Sequence, residues 1–176
     1  MSAQAAQFQY TVALDGPSEP TTSLGIGSGT ANYDDVAHTL ELRVSFSGLT
    51  GTTTASHLHG PTTNSLSGTA GVATTTPSLV GFPLGVTSGS YSGTLDLTSA
   101  SSYNPAFITS HGGTPASAES ALAAAIADGK AYWNIHSSTS PGGEIRGFLV
   151  PVPEPSTLAL FGIGAAAIAW RLRRKT

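Results

Sequence analysis

Large apolar residues alternate with polar or small residues in several short segments of this chain, most clearly in residues 8–14 and 40–46. A period of two places all the apolar side chains of such a segment on one face of a strand. Clusters of Gly, Pro, Ser and Asp separate the segments, which is typical of a β-sandwich or β-barrel. We therefore predict about eight short strands. They comprise residues 8–14, 29–33, 40–46, 55–59, 71–75, 91–97, 131–136 and 144–150.

One helix is predicted between the strands. Thr114 suits the N-cap and Pro115 the first helical position. The alanine-rich residues 116–127 follow, and Gly129 can end the helix. Residues 60–90 contain few large apolar side chains, and we expect long loops there. The predicted fold is thus all-β, an antiparallel sandwich or barrel of about eight strands with one short crossover helix.

The charge distribution excludes some classes of partner. Only 10% of the residues are charged, against roughly 25% in a typical soluble domain, and such a surface suits a secreted protein. Residues 1–150 contain three basic and nine acidic side chains. Because binding to nucleic acid needs a basic stripe to neutralise phosphates, nucleic acid is not an expected partner. The chain has no cysteine, which excludes a disulfide framework.

The C-terminal residues have three distinct parts. Residues 152–157 read Val-Pro-Glu-Pro-Ser-Thr, residues 158–170 carry no charge, and residues 171–176 contain four basic side chains. A helix over the uncharged part would be about 20 Å long at 1.5 Å per residue, shorter than the ~30 Å core of a bilayer. We predict a marginal membrane helix whose basic end stays cytoplasmic, which places residues 1–150 on the far side of the membrane.

This tail resembles the PEP-CTERM sorting signal of Gram-negative bacteria. The resemblance implies that an inner-membrane exosortase recognises Pro153, Glu154 and Pro155, cuts near them, and delivers the protein outward after transient anchoring in the inner membrane. It also suggests an extracellular polysaccharide as a partner. Near the other end, Ala3-Gln4-Ala5 has the small-x-small form of a cleavage site. We therefore expect residues 1–7 to be the remnant of a signal region, 8–150 a β domain and 151–176 the sorting tail.

Histidines gather on two of the predicted strands. His57 and His59 stand two residues apart and point to the same face of their strand, while Leu58 points to the other. On a second strand, Asn134 and His136 alternate in the same way with Trp133 and Ile135. The apolar residues are predicted to enter the core. The three histidines are then expected on an outward-facing or cleft-facing surface.

Three motifs resemble the CHRD domain, a family named from chordin and present in many exported bacterial proteins. They are His-Leu-His-Gly-Pro at 57–61, Tyr-Trp-Asn-Ile-His at 132–136 and Pro-Gly-Gly-Glu-Ile-Arg-Gly at 141–147. With further matches in the N-terminal half, the resemblance covers about residues 8–149. It implies an immunoglobulin-like β-sandwich or barrel and adds context rather than a mechanism.

The histidines suggest a metal site. Neutral imidazoles suit copper or zinc, and a His-x-His pair with a third histidine on a neighbouring strand recurs in metal-binding β-barrels. The predicted ligands are His57, His59 and His136. Glu144, Arg146 and Asn134 are predicted to form an ion pair or to orient a histidine. In the alternative interpretation, the histidines bond Glu144, Asn134 and backbone groups and only fix the strand register.

Two classes of function remain open. The first is a structural or binding module at the cell surface or in an extracellular matrix, with a metal bound by the three histidines. The second is a copper or zinc enzyme of the superoxide dismutase type, a resemblance limited to the histidine pair and to His111-Gly112-Gly113. No catalytic residue is assigned, and we favour a binding role. His38 and His111 are interpreted as solvated surface residues.

Overall fold

A computed structural model of the chain describes residues 7–153. Within them, eight strands and two α-helices are formed. The strands are β1 (Gln7–Asp15), β2 (Ile26–Asp34), β3 (Thr39–Ser47), β4 (Thr53–His59), β5 (Gly89–Asp96), β6 (Tyr132–Ser137), β7 (Ile145–Phe148) and β8 (Val150–Pro151). The helices are α1 (Pro105–Ser110) and α2 (Pro115–Ala127), and a short 3-10 helix comprises Ala100–Ser102.

The strands form one antiparallel sheet in the order β4-β6-β7-β1-β2-β3-β5, and β8 pairs with β1. The sheet curls, so that its two ends face each other across the core. Tyr91 of β5 and Trp133 of β6 come from opposite ends of the order, yet their ring centroids are 6.4 Å apart. The predicted all-β antiparallel fold is confirmed.

The core contains both of the apolar faces that the alternation predicts. Residues 40, 42, 44 and 46 of β3 are buried, and so are Leu58, Trp133 and Ile135 of the other end of the sheet. All belong to a single apolar cluster. Phe8 is an exception, since it remains 42% exposed at the start of β1.

Three local predictions are wrong. Residues 71–75 form no strand, because Val72 and Thr74 make only isolated bridges, to His59 and Tyr103. Helix α1 was not predicted, although Asn104 caps it and proline occupies its first turn. The predicted strand 144–150 is interrupted and forms β7 and β8.

Helix α2 begins and ends where the sequence predicts. The Thr114 hydroxyl accepts a hydrogen bond from Ser117 N, and Ser117 bonds back to Thr114 N, which makes a capping box. The helix buries Leu122 and Ile126 together with Ala118 and Ala125.

Several predictions concern residues that the structure does not describe. They are the membrane helix at 158–170, the sorting residues Glu154 and Pro155, and the signal remnant at 1–6. Within residues 7–153, no helix has the length and apolar character needed to cross a membrane.

Candidate metal centre

The pairing of β4 with β6 brings the three predicted ligands together. In the antiparallel ladder His57 lies opposite Asn134, His59 opposite Tyr132, and Ala55 opposite His136. All these side chains share one face of the two strands because their positions differ by even numbers. Leu58 and Trp133 also pair, on the core face. The register therefore gathers the imidazoles on the face away from the core.

The histidines are buried, which corrects the expected exposed or cleft-facing position. Their exposed fractions are 6% for His57, 7% for His59 and 9% for His136. The cover comes from the segments around Ala70 and Pro77 and from the β6–β7 loop at Pro141, which contact the rings. Sequence alternation describes one sheet face and carries no information about loops that fold over it.

Each imidazole is held through one ring nitrogen by a backbone carbonyl. The contacts are His57 Nε2 to Pro77 O at 2.6 Å, His59 Nδ1 to Ala70 O at 3.0 Å, and His136 Nδ1 to Pro141 O at 2.9 Å. A carbonyl oxygen can only accept a hydrogen bond, so each of these nitrogens carries the ring proton. In a neutral imidazole, the other nitrogen then presents a lone pair.

These lone-pair nitrogens, here called the inner nitrogens, are His57 Nδ1, His59 Nε2 and His136 Nε2. His57 Nδ1 and His136 Nε2 are 3.3 Å apart. His59 Nε2 is buried and has no hydrogen-bond partner among the described residues. One nitrogen from each ring lies within 4.8 Å of the other two.

Burial keeps the three imidazoles neutral. It is the largest cause of the lowered pKa of His57 and of His136, against the hydrogen bonds to Pro77 and Pro141. Burial lowers the pKa of His59 to about 4, against the hydrogen bond to Ala70, and repulsion from Arg146, or from His57 or His136 when either is protonated, adds to the shift. Near neutral pH His57 Nδ1 and His136 Nε2 therefore bring two lone pairs together, and a cation between them would remove the repulsion.

The spacing of two of the inner nitrogens suits a small transition-metal ion. Two nitrogens bound at about 2.0–2.1 Å to one tetrahedral ion are about 3.4 Å apart. The 3.3 Å between His57 Nδ1 and His136 Nε2 matches this separation. Metal-binding histidines in proteins usually donate their second N–H to a carbonyl or carboxylate, as all three rings do here.

Tyr132 and Arg146 support the site from one side. The Tyr132 ring stacks on His59 with centroids 4.9 Å apart, and its hydroxyl donates to Ala70 O at 3.2 Å. That carbonyl also accepts from His59. The guanidinium carbon of Arg146 lies 4.9 Å from the Tyr132 ring centroid. Tyr132 was not predicted as a site residue, although its even spacing from Asn134 and His136 places it on their face.

Arg146 pairs with Glu19 and not with Glu144. Its Nε lies 3.1 Å from Glu19 Oε2 as an ion pair and donates its hydrogen bond to Ser18 O. Burial raises the pKa of Glu19, and the charge of Arg146 offsets part of this shift. Glu19 was not predicted as a site residue, and its one signal in the sequence is an acidic side chain in a chain poor in charge.

Glu144 and Asn134 do not hold the histidines. Glu144 accepts from the Ser23 hydroxyl at 2.6 Å and from the amides of Thr50 and Gly51, so it fastens two loops. Asn134 Nδ2 lies 3.5 Å from Gly142 O, a long contact, and its Oδ1 has no partner among the described residues. The hydrogen bonds that orient the histidines go to backbone carbonyls instead.

The two remaining histidines lie outside this cluster. His38 is exposed, as expected, but its Nδ1 lies 2.9 Å from Glu119 Oε1, and this hydrogen bond raises its pKa. His111 is partly exposed and packs on Phe107, with ring centroids 4.1 Å apart.

Comparison with known families accounts for nearly the whole chain. The family model of the CHRD domain matches residues 10–149. The chain belongs to the CHRD domain family. The CHRD domain contains the three histidines of the cluster as well as Tyr132 and Arg146. No curated protein and no solved structure matches the chain in the corresponding comparisons.

A second match follows the CHRD domain directly. The PEP-CTERM protein-sorting motif matches residues 151–175. The CHRD domain is therefore exported: exosortase processes the sorting motif, anchoring in the membrane is transient, and the protein reaches the cell surface or the extracellular space.

Proposed function

We propose that this exported CHRD-domain protein is a metal-binding module of the cell surface or extracellular matrix. The metal is copper or zinc, and His57, His59 and His136 are its ligands through the inner nitrogens. Arg146, Tyr132 and Asn134 surround the ligands without binding the ion. The sorting motif delivers the module outside the inner membrane, where it binds the ion.

One observation carries the proposal. The inner nitrogen of His59 is buried without any hydrogen-bond partner among the described residues, beside two other inner nitrogens only 3.3 Å apart. Buried polar atoms in proteins are almost always satisfied, and an unsatisfied one needs an explanation such as an ion. A purely structural role accounts for the other three ring nitrogens, which donate to backbone carbonyls. It does not account for the inner nitrogens, whose lone pairs face one another.

Metal analysis of the purified full chain tests the proposal. The expected content is one copper or zinc ion per chain, measured by inductively coupled plasma mass spectrometry. His57→Ala, His59→Ala and His136→Ala should each lower affinity by at least about tenfold to a hundredfold, since even partners outside the ligand set matter that much. The matched controls His38→Ala and His111→Ala should retain the ion.

Two results would count against the proposal. One is a metal content that the three ligand substitutions leave unchanged, which would place the ion elsewhere. The other is the absence of any copper or zinc binding by a folded chain, which would leave the histidines as structural residues.

A superoxide dismutase-like copper or zinc enzyme is the second candidate. The buried Arg146 beside the centre favours it, because a cationic side chain attracts a small anionic substrate. The copper-loaded chain would then convert two superoxide ions and two protons to dioxygen and hydrogen peroxide, since zinc has no redox chemistry, and Arg146→Gln would slow this reaction. Metal binding without dismutation supports the binding module.

An extracellular polysaccharide remains the proposed partner. The outer face of the sheet carries a row of hydroxyl groups, with Ser28 opposite Ser45 and Ser45 opposite Ser90. Thr30 and Arg43 follow in the next row and line the same shallow groove. Hydroxyl groups and one guanidinium suit the hydroxyls of a sugar polymer. Co-sedimentation with isolated exopolysaccharide tests the contact, and a chain that stays in solution would argue against it.

A further inference from the structure

The ligands of the proposed centre bring no negative charge to the ion. Each imidazole carries its proton on the nitrogen that donates to a carbonyl, so the ligand set is neutral. Within the described residues, the cluster of possible ligands consists of the three histidines and includes no Asp or Glu. No charge on the ligands therefore neutralises the positive charge of an ion bound there.

The nearest cationic side chain adds to this charge. The guanidinium carbon of Arg146 and the centroid of His59 each lie 4.9 Å from the Tyr132 ring centroid. Arg146 is thus within about 10 Å of the His59 ring. At this distance the guanidinium still repels a cation bound to the histidines, at an effective dielectric constant of about 20. The carboxylate of Glu19, paired with Arg146 Nε, offsets part of this repulsion. Nη1 of Arg146 is buried without a hydrogen-bond partner among the described residues.

The site is also nearly closed to water. The ligands are exposed by only 6%, 7% and 9%. The free energy of removing an ion from water grows with the square of its charge, so a divalent ion loses roughly four times as much solvation as a monovalent ion of the same size. A dry site of neutral ligands beside a guanidinium therefore penalises divalent ions most.

We propose that this centre is selective for monovalent copper, Cu(I), over the divalent ions Zn(II) and Cu(II). The inference rests on the metal-binding function proposed above. Cu(I) and Zn(II) both have a filled d shell, but Cu(I) is satisfied by three imidazole nitrogens alone. Zn(II) in a three-ligand protein site adds water or substrate as a fourth ligand, which a closed site disfavours.

Competition titrations of the full chain test the selectivity. Without oxygen, Cu(I) is titrated against a chromogenic Cu(I) chelator, and Zn(II) against a zinc indicator. The expected result is one Cu(I) per chain, bound on the order of a hundredfold more tightly than Zn(II). X-ray absorption should show three nitrogen neighbours around Cu(I). His57→Ala should abolish this binding, and His38→Ala should not change it.

The outcomes separate the two proposals. Zn(II) bound as tightly as Cu(I), or more tightly, would overturn the selectivity and leave the metal-binding function intact. Binding of neither metal, or binding that His57→Ala leaves unchanged, would overturn both.

A charge substitution tests the role of Arg146. Because a divalent ion feels the guanidinium twice as strongly as a monovalent one, Arg146→Gln should raise the ratio of Zn(II) to Cu(I) affinity by about tenfold. Arg146→Lys retains the charge and should leave the ratio near that of the wild type. An unchanged ratio in a folded Arg146→Gln chain would remove Arg146 from the explanation, and if that variant does not fold, the wild-type titrations still decide the selectivity.

Discussion

At the scale of single residues, Glu144 shows how a charge is accommodated in this interior. Its side chain is fully buried, and it accepts hydrogen bonds from Ser23 and from the amides of Thr50 and Gly51. Burial alone would raise the pKa of Glu144, but the hydrogen bonds outweigh it, and the pKa lies below its ordinary value. The charged form is therefore the stable one, and it ties the loops before β2 and β4 to the start of β7.

Glu144→Gln should lower the free energy of unfolding by about 2 to 4 kcal/mol. The NH2 group of glutamine would face hydrogen-bond donors where a carboxylate oxygen now accepts from them. The control Glu41→Gln removes a partly exposed carboxylate that pairs with Arg43, and it should change stability by at most about 1 kcal/mol. Urea denaturation of the full chain measures both. Equal effects of the two substitutions would contradict this role for Glu144.

The same carboxylate predicts a pH dependence. The pKa of Glu144 in the folded chain lies below its unfolded value of 4.5. The ionised carboxylate therefore stabilises the folded state fully above pH 4.5, and this stabilisation is lost as the pH falls through the folded pKa. The stability of the wild type should therefore fall more steeply below pH 4.5 than that of Glu144→Gln.

At the scale of elements, the contact of β7 with β1 depends on a glycine. A Cβ placed on Gly147 would lie 1.8 Å from the carbonyl oxygen of Ala13, which is backbone and cannot turn aside. At this close approach β7 lies against β1, next to the position where Asp15 of β1 stands opposite Arg146 of β7 in the antiparallel pairing. It explains why glycine ends the motif at 141–147 in this chain.

Gly147→Ala should destabilise the domain by about 3 kcal/mol or more, since β1 and β7 must separate. Gly142→Ala is the matched control in the same motif, because a Cβ there would meet no atom within 4 Å. Thermal unfolding followed by circular dichroism measures the difference. A Gly147→Ala chain as stable as the control would contradict the close approach.

At the scale of the whole molecule, the folded domain and the sorting motif follow each other without a spacer. Val150 and Pro151 form β8 on β1, and Val152 N still donates to Gln9 O at 2.8 Å. The exposed Pro153 comes next and is the first residue of the predicted recognition element. In the folded chain, hydrogen bonding to β1 therefore extends to Val152, the residue before the predicted recognition element.

Replacing Pro153, Glu154 and Pro155 by alanine should retain the full-length protein in the membrane fraction. The wild type should appear outside the cell in a form that lacks residues 158–176. Cell fractionation with mass spectrometry distinguishes the two, and Thr157→Ala serves as the neighbouring control. Equal release of the triple variant and the wild type would refute the assignment of this element.

The sequence by itself determined the features that depend on near neighbours along the chain. The alternation in residues 40–46 specified both a strand and its buried face, and the spacing of His57 and His59 placed them on one face. Local cap residues defined α2, and a contiguous stretch defined the sorting tail. The same local pattern was wrong at 71–75, because there the backbone makes isolated bridges to His59 and Tyr103 instead of a ladder.

Only the tertiary structure decided how these pieces form a site. His136 reaches His57 because β4 pairs with β6, which lies far along the chain. The burial of the histidines depends on the segments at Ala70, Pro77 and Pro141 that fold over the sheet. Likewise, Arg146 could have paired with Glu144 two residues away, but strand packing gave it Glu19. Long-range packing sets these contacts, and no local period of the sequence records it.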